Sequence, residues 1–297
     1  MYNEIAANKR RSVILITIFI AVIVLLGYVY DRLWGMGGYG GVMIAIVISL
    51  FMTTISYFQG DKIALFTNGA KPITKEDNRY AYNLVENLCI TAGLPVPKIY
   101  IIEDPAINAF ATGRKPELAS IALSRGAIEK LTNEELEGVI AHELSHIKNY
   151  DIRFMTLVAV LVGVIVLLSD MMWRVRLFGG RRSDRSEGGG QVGAIILIIG
   201  VVFAILSPII AELIKLAISR RREYLADASG ALLTRYPDGL ASALEKISQE
   251  NLPMQHAATA TAHLYLASPF KVKGFKSLFS THPPIEDRIN KLRTMGR

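Results

Sequence analysis

Four apolar runs dominate the sequence and restrict what the chain can fold into. They cover residues 13–30, 41–58, 154–173 and 192–210, and each is 18 to 20 residues long. At about 1.5 Å of rise per residue, a helix of this length crosses roughly 30 Å of hydrocarbon. The mean hydropathy of +0.34 is also high for a soluble domain. The runs therefore predict an integral membrane protein with two hairpins of spans.

The first apolar run favours a membrane anchor over a cleaved signal peptide. Lys9, Arg10 and Arg11 precede it, and such cations precede both kinds of segment. No small-residue cleavage site follows, and the run is longer than the roughly 7 to 15 apolar residues of a signal peptide. Because only Arg32 lies in the turn after the run, the positive-inside rule predicts that the N-terminus stays in the cytoplasm.

Two hairpins return the chain to the starting side twice, which predicts that the polar blocks 59–153 and 212–297 are both cytoplasmic. The turn of the second hairpin opposes this topology. Between residues 174 and 187 it holds five arginines and two acids, a net charge of 5 − 2 = +3 where the rule predicts few cations. The sequence leaves open whether this hairpin crosses the membrane fully.

Charge and cysteine content restrict the partners and the compartment. The formal net charge is +7, and many of the Lys and Arg residues lie beside the apolar runs. We therefore interpret the cations as membrane-flanking and predict no nucleic-acid partner. The single cysteine, Cys89, excludes an internal disulfide and fits a reducing compartment.

The polar blocks predict a small α+β unit. Apolar residues at helical spacing indicate a helix over 75–92, and Gly93 ends it. The segments KIYIIED, NAFATG and ASIALS predict three short strands. Thr132 and Glu135 form a capping box that opens the next helix. Further helices are predicted over about 208–233, 240–249 and 285–292, the first of them stopped by YPDG.

The sequence HELSH, residues 142–146, carries the chemistry. On a helix, His142 and His146 stand one turn apart on one face, and Glu143, about 100° round the axis, faces the same cleft. Two imidazoles can bind one zinc ion while the carboxylate takes a proton from the attacking water. No Pro or Gly separates HELSH from the third apolar run, so we predict one helix that continues from the ligands into the membrane.

A catalytic zinc ion takes three protein ligands, and the third must come from elsewhere in the chain. The candidates are His256, His263, His282, Glu223 and Asp227. Glu223 and Asp227 are four residues apart, so one can reach the metal while the other hydrogen-bonds a ligating histidine. A surface ion pair between Glu223 and a neighbouring arginine explains the same residues without a metal, so the spacing alone leaves the ligand open.

Four separated motifs occur in order along the chain: NAFATG, HELSH, SRRREYLAD and THPPIEDRI. Together they resemble the HtpX-type membrane zinc metalloproteases, relatives of the CAAX prenyl endopeptidases, over essentially the whole chain. The resemblance implies one zinc ion (Zn²⁺) per chain, held by His142, His146 and Glu223. It also implies that Glu143 is the general base and that Asp227 hydrogen-bonds a ligand.

The resemblance extends to residues around the substrate. It implies that Asn108 of NAFATG edges the substrate groove and that His282 and Arg288 help to hold substrate or the oxyanion. For His282 there is an alternative, a helix-capping role ahead of Pro283 and Pro284.

The resemblance further implies a multi-pass enzyme of the cell membrane that cleaves misfolded or damaged membrane proteins at the cytoplasmic face. Its partners are then protein substrates and the lipid bilayer. One alternative is an intramembrane zinc protease with YPDG as its aspartate motif, but charges such as Glu134 and Lys148 on the HELSH helix are costly in lipid. A prenyl-protein protease and a non-enzymatic holdase or scaffold are the others; an intact Glu143 argues against the last, because a structural site needs no base.

The predicted fold is a mainly α integral membrane protein in which two transmembrane hairpins carry an α+β, zincin-like (gluzincin) cytoplasmic catalytic unit. The predicted parts are a membrane hairpin (1–60), a catalytic part with the sheet and the HELSH helix (61–153), a second hairpin (154–211) and a catalytic part with the third ligand (212–297). The second hairpin thus joins the two halves of the site. Since Phe154 is about two turns, roughly 12 Å, beyond His146, the active site is predicted close to the bilayer surface.

Overall fold

The computed structural model describes residues 2–34, 38–163, 219–255, 257–270 and 283–295. Over these ranges the chain is mainly helical and contains a four-stranded sheet. Most of the second predicted hairpin, including its arginine-rich turn, lies outside the described residues, as do His256 and His282.

Two long helices begin the chain, α1 (Tyr2–Trp34) and α2 (Gly40–Thr67). Both are long and apolar enough to cross a membrane. The buried carboxylate of Asp31 joins them, because it accepts the N–H groups of Gly41 at 2.7 Å and Val42 at 2.9 Å in the first turn of α2. Large apolar side chains of α2 are exposed, as lipid-facing positions require, among them Met43, Val47 and Phe51.

A mixed sheet follows. Its strands are β1 (Ala70–Pro72), β2 (Lys98–Ile102), β3 (Ala109–Thr112) and β4 (Ser120–Ser124), in the spatial order β1-β2-β4-β3. β2 and β4 are parallel, and the two outer pairs are antiparallel. The three strands predicted from sequence are confirmed. β1 escaped prediction because three residues are too few for a pattern. β3, which comes from NAFATG, lies at one edge.

Three helices surround the sheet: α3 (Arg79–Ala92), α4 (Arg125–Lys130) and α5 (Asn133–Lys148). α3 starts four residues later than predicted because the side chain of Asn78 caps it, and it ends as predicted at Gly93, whose φ is 66°. The capping box of Thr132 and Glu135 is present at the start of α5.

The HELSH helix does not continue unbroken into the third apolar run. α5 ends at Lys148, and a separate helix, α6, covers residues 151–163 of the described chain. The prediction of one continuous helix is therefore wrong. The backbone turns at Tyr150, whose φ is 60°, a left-handed conformation that usually falls to Gly or Asn and so carries no sequence signal here.

Three more helices complete the described chain: α7 (Arg220–Thr234), α8 (Pro237–Glu250) and α9 (Ile285–Met295). Of the helix predicted over 208–233, residues 208–218 lie outside the described residues; Ser219 is extended, and α7 begins after it. YPDG does stop α7, and its proline also opens α8 at the first helical position. α8 and α9 confirm the two predicted helices with slightly wider bounds.

Apolar clusters on both faces of the sheet hold it in place. One face packs Ala109, Ala111, Ile121 and Leu123 against the apolar sides of α3, α5 and α8. The other face packs Phe110 and residues of β2 and β4 against the end of α2 and against Met254, Leu264 and Tyr265. α5, with HELSH, therefore lies directly beneath β3.

α6 packs on the first hairpin. Phe154, Leu157 and Val158 of α6 are buried against Leu15 and Phe19 of α1. The beginning of the third apolar run thus already lies against α1, immediately after α5.

Candidate metal centre

Three donor side chains meet at one buried point. His142 and His146 come from successive turns of α5, and Glu223 comes from the first turn of α7. Their ligand atoms all lie within 4.8 Å of one another. Among the described residues, this is the group of His, Cys, Asp or Glu side chains that could hold a metal ion. Each is no more than 4% exposed.

The distances fit zinc. Nε2 of His142 and Nε2 of His146 are 3.2 Å apart, and each lies 3.7 Å from an oxygen of Glu223. Ligands at about 2.0–2.2 Å from a tetrahedral zinc ion stand roughly 3.4 Å apart. The charge fits as well: burial lowers the pKa of His146, but Asp151, Glu223 and Glu143 raise it to about 9, so this point stabilises positive charge.

Asp227 fixes the orientation of His142. Its Oδ1 is 2.9 Å from Nδ1 of His142, so Nδ1 carries the proton and the Nε2 lone pair faces Glu223 and His146. Arg288, fully buried, donates two bonds to the same carboxylate at 2.8 and 2.7 Å. Burial alone raises the pKa of Asp227, but the charge and hydrogen bonds of Arg288 and the bond from His142 lower it below its ordinary value, so Asp227 is an anion.

Asp151 does the same for His146. Its Oδ2 is 3.0 Å from Nδ1 of His146, and its carboxylate is 2% exposed. Sequence reasoning missed this residue. Asp151 reaches back to His146 only because the chain turns at Tyr150, and a continuous helix would have carried it away. Arg222, also missed, places its Nε 3.8 Å from the other oxygen of Asp151.

Glu143 lies beside the three donors but is not part of their contacts. It is 1% exposed, and within the described chain its Oε1 has no hydrogen-bond partner. Burial raises the pKa of Glu143, while His142, His146 and a hydrogen bond from the N–H of Ala111 act against that rise. A buried carboxylate with a free oxygen beside a metal site is equipped to accept a proton.

Arg288 and Asn108 both bind the backbone of residues 266–267, and Asn108 also lines a cavity of about 220 Å³. Their predicted roles towards substrate stay predictions. Besides its bonds to Asp227, Arg288 donates to the carbonyl of Leu266 at 2.9 Å. The amide of Asn108 binds the backbone of Ala267 in both directions, donating at 3.0 Å and accepting at 3.3 Å. Both residues therefore hold chain segments near the metal centre. The predicted role of His282 falls outside the described residues.

The outer edge of β3 is partly paired with the chain itself. A segment that we call the strap, residues 258–267, runs beside it: Phe110 and Tyr265 form a bridge, and Leu266 donates to the carbonyl of Ala109 at 2.9 Å. A substrate that added to this edge would have to displace those residues. The N–H of Ala111, in the same strand, bonds to Glu143 beside the metal centre.

His263, which the sequence offered as a candidate for the third ligand, belongs to the strap. Its Nε2 lies 3.0 Å from the carbonyl oxygen of Met155 in α6 and so acts as a donor. The ring therefore helps to hold the strap on α6.

The geometry of the metal centre defines the class of protein. Two imidazoles and a free carboxylate on one helix, completed by a distant glutamate, are typical of zinc-dependent peptidases.

Known peptidases match this chain over most of its length. The model of Peptidase family M48 matches residues 75–296. The Protease HtpX homolog of Dictyoglomus thermophilum is 47% identical over 99% of this chain and 95% of that protein. The homolog of Tropheryma whipplei (strain Twist) is 43% identical over 100% and 99%. The crystal structure of S. mikatae Ste24p aligns with 98% of this chain and 66% of that one, at 19% identity and a TM-score of 0.47.

The chain belongs to peptidase family M48. It is a membrane-bound zinc metalloendopeptidase.

Proposed function

We propose that His142, His146 and Glu223 are the zinc ligands of this peptidase and that Glu143 is its general base. The observation that carries the proposal is the convergence of three buried donors at 3.2 to 3.7 Å, with the free oxygen of Glu143 beside them. Zinc bound by these three residues would act as a Lewis acid that polarises the scissile carbonyl and lowers the pKa of the attacking water.

The protein's own residues do the rest of the chemistry. Glu143 takes a proton from the water as it attacks the peptide carbonyl, and the same carboxyl group returns a proton to the leaving amine. The N–H of Ala111 holds the Glu143 carboxylate in place. Asp227 and Asp151 keep the two imidazoles in the tautomer that offers Nε2, so both lone pairs face the same point throughout.

We further propose that the substrates are membrane proteins, cleaved at the cytoplasmic face. Asn8 of α1 contacts Asp151, which contacts His146, and the exposed apolar surface of α1 begins at Val13. Five residues of helix are about 8 Å, so the metal centre lies within one or two turns of the lipid boundary. The cations of residues 9–11 support a cytoplasmic location for this end of α1.

A role in removing misfolded or damaged membrane proteins follows from the family resemblance and is part of the same proposal. We also propose that the second hairpin, 154–211, joins the half of the site that carries HELSH to the half that carries Glu223.

The purified, detergent-solubilised chain tests the chemistry. Glu143→Gln keeps the shape of the side chain but removes the base, so we expect full zinc content and a loss of casein cleavage of roughly 10² to 10⁴-fold. Glu134→Gln is the matched control, because Glu134 is an exposed glutamate on the same helix. Parent-like cleavage by Glu143→Gln would remove Glu143 from the mechanism.

A second experiment tests the substrate class. One cleavable sequence is presented on a single-span anchor in proteoliposomes with the enzyme, and the same sequence is added as a free peptide at an equal total amount. We expect the anchored form to be cleaved faster, because the bilayer brings it to the site. Equal rates would contradict the preference for membrane proteins and leave the peptidase chemistry standing.

A further inference from the structure

A chain of hydrogen bonds links the first membrane helix to a metal ligand. The side chain of Asn8, in α1, donates from Nδ2 to Oδ1 of Asp151 at 2.5 Å and to the carbonyl oxygen of Asn149 at 3.0 Å. The other oxygen of Asp151 binds Nδ1 of His146 at 3.0 Å. Asn8 is 1% exposed and Asp151 2%, so water does not replace these bonds.

The orientation of the Asn8 amide is determined by its neighbours. Arg11, one turn further along α1, donates to Oδ1 of Asn8 at 3.1 Å. An arginine can only donate, and the carboxylate of Asp151 and the carbonyl of Asn149 can only accept. The amide oxygen must therefore face Arg11, and the NH₂ group must face the turn between α5 and α6.

We propose that Asn8 is a positioning residue for the zinc ligand His146 and acts through Asp151. A buried carboxylate that binds a histidine with one oxygen needs a donor on the other, or it rotates to find one. Asn8 supplies that donor, and Arg222 adds positive charge 3.8 Å from the same oxygen. The second bond of Asn8, to Asn149, fixes the turn that brings Asp151 back to His146.

The same construction supports the other histidine. His142 is held by Asp227, and Asp227 is held by Arg288 of α9. Each ligating imidazole thus has its own carboxylate, and each carboxylate has its own buried donor from a distant segment. For Asp151 the donor is 143 residues away, in a membrane helix.

This arrangement makes zinc binding depend on the first hairpin. The metal centre has all of its supporting bonds only when α1 packs against the turn between α5 and α6. The inference rests on the proposed role of His146 as a ligand, and it adds that the site becomes fully formed on membrane insertion of α1.

A double-mutant cycle tests the inference in the full chain, with zinc dissociation constants measured by competition with a chelating indicator. We expect Asn8→Ala to weaken zinc binding by about tenfold and Asp151→Asn by about ten- to a hundredfold. In the Asp151→Asn background, Asn8→Ala should have no further effect, because the bond it removes no longer orients an anion. Asn8→Asp, which keeps the shape but sets two carboxylates face to face, should weaken binding more than Asn8→Ala.

Ser12→Ala is the matched control. Ser12 lies one turn along the same helix, is 3% exposed and bonds to the carbonyl of Asn8 within α1. We expect it to leave zinc affinity unchanged. A positioning role for Asn8 also lowers kcat with KM unchanged, whereas a packing role lowers the unfolding temperature of the zinc-free protein and leaves zinc affinity alone.

Two results overturn the inference: unchanged zinc affinity in both Asn8 variants, or an equal loss from Asn8→Ala with and without Asp151. His146→Ala separates this failure from failure of the proposed function. If His146→Ala retains zinc, the ligand assignment itself is wrong; if it loses zinc while the Asn8 effects are additive, only the link to α1 is wrong.

Discussion

Gly230 sets the distance between the two helices that carry the proposed metal ligands. It lies on α7, three residues after Asp227, where α7 crosses α5. A Cβ atom added at Gly230 would lie 3.0 Å from the backbone nitrogen of His142 and 3.2 Å from the carbonyl carbon of Ala141. Both neighbours are helix backbone and cannot rotate away, so Gly230→Ala should push the helices apart.

The size of the effect follows from these distances. Moving from 3.0 Å to an ordinary contact of 3.4 Å requires 3.4 − 3.0 = 0.4 Å. The same shift takes the bond between Asp227 and His142 from 2.9 Å to about 3.3 Å, beyond the usual range for N–H···O bonds. Overpacking costs about 1–3 kcal/mol, and the helix propensity of alanine offsets about 1 kcal/mol of it. Zinc affinity should fall about tenfold or more, since Asp227 no longer orients its ligand.

The assay is zinc affinity by chelator competition together with thermal unfolding of the zinc-free protein. Gly40→Ala is the matched control, because a Cβ atom there meets nothing within 4 Å. We expect a large loss of affinity and a small loss of stability in Gly230→Ala alone. Unchanged affinity in Gly230→Ala would refute the argument that the spacing of α5 and α7 holds the site together.

Three further predictions concern single side chains. Asp227→Ala should weaken zinc binding by roughly ten- to a hundredfold while the chain still folds, as measured by metal titration. His263→Ala should keep a full zinc content, because that ring donates to the carbonyl of Met155; metal loss would make His263 a ligand after all. Cys89 is fully buried, which raises the pKa of its thiol to about 11, so at pH 8 iodoacetamide should leave it intact in the native protein and modify it after denaturation, as followed by mass spectrometry.

Local periodicity explains what the sequence predicted well. The pairs His142 and His146, and Glu223 and Asp227, are each four residues apart, and a helix places such residues on one face whatever surrounds it. The strands β2, β3 and β4 and the capping box of α5 likewise depend on residues close together in the sequence. Motif order added the assignment of Glu223, which spacing alone had left open.

Contacts made across the fold explain what the sequence did not predict. Asp151 supports His146 because Tyr150 adopts a left-handed conformation, and no Gly or Pro in the sequence indicated a turn there. Asn8 lies 143 residues from Asp151, and no periodic pattern relates residues so far apart. The place of Asn108 at a substrate groove stays a prediction, whereas its hydrogen bonds with Ala267 of the strap, a segment without a regular pattern, were not predicted.

The zinc content of purified Glu223→Ala tests the central claim most directly, because Glu223 is the donor that joins the half of the site after the second hairpin to the HELSH helix. Metal analysis of the parent should give one zinc ion per chain. For Glu223→Ala, which leaves two imidazoles and no third donor among the described residues, we predict a content near zero and no peptidase activity. Full zinc occupancy in Glu223→Ala would contradict the account and show that the third ligand lies elsewhere.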